Sequence, residues 1–110
     1  MKRPWLKRYD PGVPHTIHYP QVALPWFLDR AAQRYPSQAC TIYRDRTLSY
    51  AQVEALSTHL SRWLCALGLQ KGDRVGLVLP NTPQFVIAYY AVLKAGGIVV
   101  ALNPAYRERE

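Results

Sequence analysis

The sequence predicts an α/β protein with a β-hairpin and one βαβ unit of a parallel sheet, flanked by helices. Three observations predict it. The stretch GDRVGLVLPNTPQFVIAYYAVLKAGGIVVALNP, residues 72–104, runs from an apolar strand through a polar turn into an apolar helix, then through a glycine pair into a second apolar strand. Residues 49–67 carry apolar residues at helical spacing between a capping signal and a glycine. The chain has 110 residues and is 49% hydrophobic, enough for one small globular domain and too apolar for a disordered chain.

Residues 1–22 are rich in Pro, Tyr and His and show no periodicity. Pro4, Pro11, Pro14 and Pro20 predict an extended arm lying over a surface, a basic leader distinct from the body at residues 23–110. Leu24, Phe27, Leu28, Ala31, Ala32 and Tyr35 then recur at helical spacing, with Asp29, Arg30, Gln33 and Arg34 on the other face, and Pro36 stops the helix. Residues 39–43, ACTIY, read as a strand, 44–46 as a polar turn and 47–49 as a return strand. Ser49 and Gln52 have capping-box spacing. The following helix presents Val53, Leu56, Leu60, Trp63, Leu64 and Leu67 as its apolar stripe, and Gly68 fits the left-handed residue that ends many helices.

Lys71-Gly72-Asp73 is a turn in which Asp73 sets the entry to the next strand. Residues 75–79 form a continuous apolar run, expected to be buried on both faces of a parallel sheet. Thr82 suits an N-cap and Pro83 a first helical position. The helix over 83–95 is apolar almost all round and is expected to be deeply buried, and residues 98–102 form the next strand.

The formal net charge is +7, and Lys2, Arg3, Lys7 and Arg8 concentrate part of it near the start. A solvated leader is the simplest reading; attraction to the phosphates of nucleic acid or anionic lipid is the other. No basic helix interleaved with aromatics occurs, so no nucleic-acid partner is expected. The two cysteines, Cys40 and Cys65, have no metal spacing and read as small buried hydrophobes of a reducing compartment. The basic start lacks a secretory apolar core, so no secretory signal is expected, and the expected location is cytoplasmic. Residues 85–102 approach the length of a membrane span, but Lys94 sits within them and Gly96-Gly97 follows; a helix, a stop and a strand explain them better.

The turn Asn81-Thr82-Pro83 opens a helix, where unpaired N–H groups can hold an anion. It has no glycine to admit a phosphate, Pro83 removes a donor, and both glycine-rich nucleotide motifs are absent. A capped structural helix is the simpler expectation. His15 and His18 stand three apart among prolines without a third ligand, and His59 falls on a polar helix face. Asp10, Asp29, Asp45, Glu54 and Asp73 form no evident acid–base pair, and no nucleophile elbow occurs. No catalytic, cofactor-binding or metal residue is therefore assigned.

The order of motifs resembles the N-terminal part of the adenylate-forming (AMP-binding) acyl-CoA synthetases over about residues 24–110. Leu48-Ser49-Tyr50 precedes the long helix, Lys71-Gly72-Asp73-Arg74-Val75 leads into a strand, and Leu79-Pro80-Asn81-Thr82 leads out of it. Lys94-Ala95-Gly96-Gly97 is followed by Leu102-Asn103-Pro104. The leader, with Trp5-Leu6-Lys7, Tyr9, Gly12-Val13-Pro14 and Ile17, is similar to the start of bacterial long-chain fatty-acid–CoA ligases. The resemblance implies a partial N-terminal subdomain of that fold. It implies a reaction in which ATP and Mg2+ activate a fatty acid as acyl-AMP and CoA then takes the acyl group. Peripheral contact with the inner face of a membrane is also implied, which suits the basic leader.

The family's phosphate loop, its adenine and Mg2+ residues and its C-terminal lysine follow the part matched here, so none maps onto this chain. After Pro104 the chain reads Ala105-Tyr106-Arg107, with Arg107 where the family has a capping threonine, and Glu110 falls at the start of a further helix. Two strands with an all-round apolar helix call for more covering elements. The expectation is a truncated piece that binds neither ATP, Mg2+ nor CoA and is inactive alone. The alternatives are a stand-alone basic module on anionic membrane or nucleic acid, and a small membrane protein.

Overall fold

The computed structural model describes residues 2–108. After a 3-10 turn at Pro4–Arg8, the order is α1 (Pro25–Arg34), β1 (Ala39–Tyr43), β2 (Arg46–Ser49), α2 (Tyr50–Ala66), β3 (Arg74–Val78), α3 (Pro83–Lys94) and β4 (Ile98–Leu102). β1 and β2 form an antiparallel hairpin. β3 and β4 pair in parallel through the α3 crossover, in register from Arg74 against Ile98 to Val78 against Leu102. The expected start of a further helix reaches Arg109 and Glu110, outside the described residues.

Local chemistry explains the boundaries. The Ser49 hydroxyl accepts from the Gln52 N–H while Gln52 Oε1 accepts from the Ser49 N–H, closing the capping box that opens α2. α2 and α3 end alike. Gly68 (φ +104°) and Gly96 (φ +86°) are left-handed, and the Leu69 and Gly97 amides reach back to the Leu64 and Val92 carbonyls. Asp73 Oδ2 accepts from the Gln70 N–H at 2.8 Å, so Asp73 does set the turn before β3.

Packing departs from the periodicity at several places. The leader is not a plain extended arm. Pro4 opens the 3-10 turn, where its fixed φ suits a first helical position, and the Tyr9 ring meets His15 edge-on at 5.8 Å. On α2 the buried residues are Val53, Ser57 and Ser61, whereas Leu56, Trp63 and Leu67 of the expected stripe are exposed. α2 packs most extensively on α3, where Ala91 and Val92 are buried. Small side chains on both helices allow close approach, and apolar periodicity does not register size. α3 itself is only half-buried beyond Ala91 and Val92.

β3 is not buried on both faces. Leu77 is 7% exposed, but Val78 is 57% exposed, and Ile98, Val100 and Leu102 share its outer face in the parallel register. α3 covers the other face. Cys40 is half-buried, and Cys65 is exposed on α2 rather than buried.

Candidate functional site

In open parallel sheets ligands bind outside the carboxyl ends of the strands. Here that end is the turn 79–82 after β3 together with Asn103-Pro104 after β4. Two open clefts flank the turn. One, about 460 Å³, lies between Leu79, Pro80 and Asn81 on one side and Leu102, Asn103 and Pro104 on the other. The second, about 320 Å³, lies between Thr41, Ile42 and Tyr43 of β1 and Thr82, Pro83 and Val86 at the start of α3.

The turn is built as a helix start without a capping bond. Thr82 has the extended backbone of an N-cap (φ −132°, ψ 167°), yet its hydroxyl accepts no bond from the first turn of α3. It points back to the Pro80 carbonyl at 3.4 Å, a long contact. The expected position of Thr82 and Pro83 therefore holds, while the expected cap bond does not form. Asn103 Oδ1 accepts from the Ala105 N–H at 2.9 Å and closes the turn after β4.

Neither cleft is lined by Lys, Arg, His, Asp or Glu. A triphosphate needs cations, or glycine-lined amides that it can approach closely. The groups lining these clefts do not fit ATP by themselves. Among the described residues, no three His, Cys, Asp or Glu side chains come together as a metal-holding group. His15, His18 and His59 are all exposed, and the structure brings none of them to the clefts.

The most developed polar cluster lies elsewhere and eluded the sequence reading. Lys94, at the C-terminal end of α3, is the one charge in its apolar run. Its Nζ lies 3.1 Å from Asp29 Oδ1 of α1 and 3.1 Å from Glu54 Oε1 of α2. It also donates to Thr58 Oγ1 at 2.9 Å, and the Thr58 hydroxyl donates to Glu54 Oε1 at 2.7 Å. Asp29, expected on the solvent face of its helix, instead turns an oxygen inward to this ammonium. That oxygen has no aligned hydrogen bond, so the close charge is what compensates its burial. The Thr58 hydrogen bond, and then Lys94, hold the Glu54 carboxyl below its ordinary value against the opposing effect of burial. A lone lysine in an apolar run signals that a counter-charge must exist, but not which acid supplies it. The cluster ties three helices and touches neither of these clefts; its acids Asp29 and Glu54 line a separate open cleft of about 380 Å³ with Ala32, Gln33 and Ala51.

Between the hairpin and α3, burial pushes the Cys40 thiol and the Tyr90 phenol up, toward their neutral forms.

The sequence profile of AMP-binding enzymes matches residues 28–110. This chain belongs to the AMP-binding enzyme family. The long-chain-fatty-acid–CoA ligase of Bacillus subtilis is 41% identical over 109 residues, covering 99% of this chain. The chain spans only 20% of that relative's length. Among solved structures, the fatty acyl CoA synthetase of Mycobacterium tuberculosis is 32% identical, with a TM-score of 0.71 over 76% of this chain and 17% of its own. The NpsA N-terminal subdomain of Klebsiella oxytoca is 29% identical, with a TM-score of 0.76 over 79% of this chain and 23% of its own. The fold is thus that of the N-terminal subdomain of adenylate-forming enzymes. The family's AMP-binding character implies ATP, with CoA added in its fatty-acid ligases. Among the described residues of this member, no helix is long and apolar enough to cross a membrane; residues 85–102 divide into α3 and β4 as expected.

Proposed function

We propose that the chain is the N-terminal segment of a long-chain fatty-acid–CoA ligase, acting as scaffold for a site completed by residues outside it. The observation that carries this reading is the 41% identity to a fatty-acid ligase over 99% of the chain, because it spans the leader as well as the βαβ unit. The whole enzyme would activate a fatty acid with ATP and Mg2+ and pass the acyl group to CoA. Within that enzyme, residues 1–22 form the leader and residues 23–110 belong to the AMP-binding domain.

This chain's own contribution is positional. The capping box, the glycine ends and the Lys94 cluster hold three helices against the β-strands. The two clefts give uncharged walls at the carboxyl end of β3–β4. With no cation in either wall, phosphate-holding groups come from elsewhere, and the isolated chain neither binds ATP, Mg2+ or CoA productively nor catalyses. We also place the enzyme in the cytoplasm at the inner face of a membrane. The support for this contact is the basic leader, whose Lys2, Arg3, Lys7 and Arg8 enter no ion pair among the described residues.

Two measurements test the reading. The purified chain should show no fatty-acid-dependent ATP–pyrophosphate exchange; robust exchange would overturn the scaffold assignment. Substituted for the matching segment of the Bacillus subtilis ligase, it should sustain fatty acyl-CoA formation. A folded chimera that makes none, while the parent does, would remove the ligase reading.

A further inference from the structure

The leader is built differently from the rest of the chain. Every residue over 2–24 is exposed except Leu6. The 3-10 turn at Pro4–Arg8 brings Lys2, Arg3 and Lys7 around one shallow cleft of about 330 Å³, with Pro4 the remaining wall. Arg3 also lines a neighbouring cleft against Tyr9, Pro14, Ile17 and Tyr19, so the segment after the turn folds back beside the cations. None of Lys2, Arg3 and Lys7 has an acidic partner among the described residues. Like charges gathered without a counter-charge repel, and an anion at their centre relieves the repulsion.

Apolar surface accompanies the charge. Trp5 is 48% exposed within the turn, and Ile17 and Tyr19, which share the second cleft with Arg3, are 64% and 70% exposed. A cation cluster alone fits any phosphate. Cations beside exposed Trp, Tyr and Ile fit the boundary of an anionic bilayer, where phosphates meet the basic groups and amphipathic rings settle among the headgroups. A nucleic acid would take the cations but leave Ile17 in water.

We propose that Lys2, Arg3 and Lys7 form a seat for lipid phosphate and that Trp5 enters the headgroup layer, docking the leader on an anionic bilayer. This rests on the membrane contact proposed above and assigns it to named side chains.

The test measures co-sedimentation of the 110-residue chain with vesicles of phosphatidylglycerol mixed with phosphatidylcholine. Binding is expected to the mixed vesicles and not to phosphatidylcholine alone. Each neutralised cation should weaken it about fivefold, so the Lys2→Ala, Arg3→Ala, Lys7→Ala triple variant loses on the order of a hundredfold. Trp5→Ala should weaken binding and reduce the blue shift of tryptophan emission on vesicles. These positions are exposed, so circular dichroism should be unchanged in every variant.

Absence of binding to the anionic vesicles would overturn both the membrane contact and this assignment. Undiminished binding by the triple variant, or equal binding to neutral vesicles, would overturn the assignment alone. Release by inorganic phosphate well beyond that by chloride at equal ionic strength would make it a free-anion site. Tighter binding to a DNA or RNA oligonucleotide than to vesicles would make it a nucleic-acid surface. The exchange and chimera assays are independent of these outcomes.

Discussion

Replacing Lys94 with methionine removes the cation that joins α1, α2 and α3 while keeping most of the side chain's volume. The lysine side chain is 12% exposed, and its Nζ meets Asp29, Glu54 and Thr58 at 3.1, 3.1 and 2.9 Å. A hydrogen bond to a charged group contributes about 1.5–3 kcal/mol, and breaking a fully buried ion pair costs about 3–5 kcal/mol. The acids here are less confined: Asp29 and Glu54 side chains are 48% and 33% exposed and can turn toward water. The loss for Lys94→Met is therefore placed near the low end, at about 2 kcal/mol, with Asp29→Asn costing about 0.5 kcal/mol. Urea unfolding of the chain, followed by circular dichroism, measures both. A Lys94→Met variant within about 0.5 kcal/mol of the parent would refute the claim that the cluster holds the helices together.

Acid titration provides a second check on the same cluster. The folded carboxyl of Glu54 is lowered, chiefly by the Thr58 hydrogen bond and then by Lys94. The unfolded chain thus takes up this proton at higher pH than the folded one. The stabilisation is complete above the ordinary carboxylate range and is lost as pH falls through the lowered folded value. Glu54→Gln should flatten that part of the stability profile. Thr58→Val should flatten it more than Asp29→Asn does.

Three further outcomes are expected. Gly97→Ala puts a Cβ 2.9 Å from Val92 Cγ1 and 3.3 Å from the Asp73 carbonyl, and Val92 is buried. It should cost about 1–3 kcal/mol in the same unfolding assay. Ser49→Ala breaks the capping box and should cost about 1 kcal/mol, with Ser49→Thr retaining most of the stability. Exposed Cys65 should react quickly with a thiol reagent at neutral pH, whereas half-buried Cys40, its thiol pushed up by burial, should react slowly until urea is added.

Much of the architecture could be read along the chain because its signals are local. β1 and β4 occupy the residues read from their apolar runs, and α2 begins at the capping box and ends at the left-handed glycine. The leader could not be read this way. Its prolines restrict φ, which is compatible with either an extended arm or a 3-10 turn, and the contact between Tyr9 and His15 decides for folding back. The clefts beside the turn 79–82 were legible only as a location, since their walls come from β1 and from the segment after β4.

By itself, then, the sequence determined the order of elements, most of their ends, the family and the lack of a glycine-rich phosphate loop, because each is written in adjacent residues. Only the tertiary structure decided which faces are covered. Val53, Ser57 and Ser61 go inward on α2 while Leu56 and Trp63 stay out, because two helices approach most closely where side chains are small. It alone paired Lys94 with Asp29 and Glu54, acids 65 and 40 positions earlier in the chain. An isolated charge demands a partner, but only three-dimensional proximity selects one.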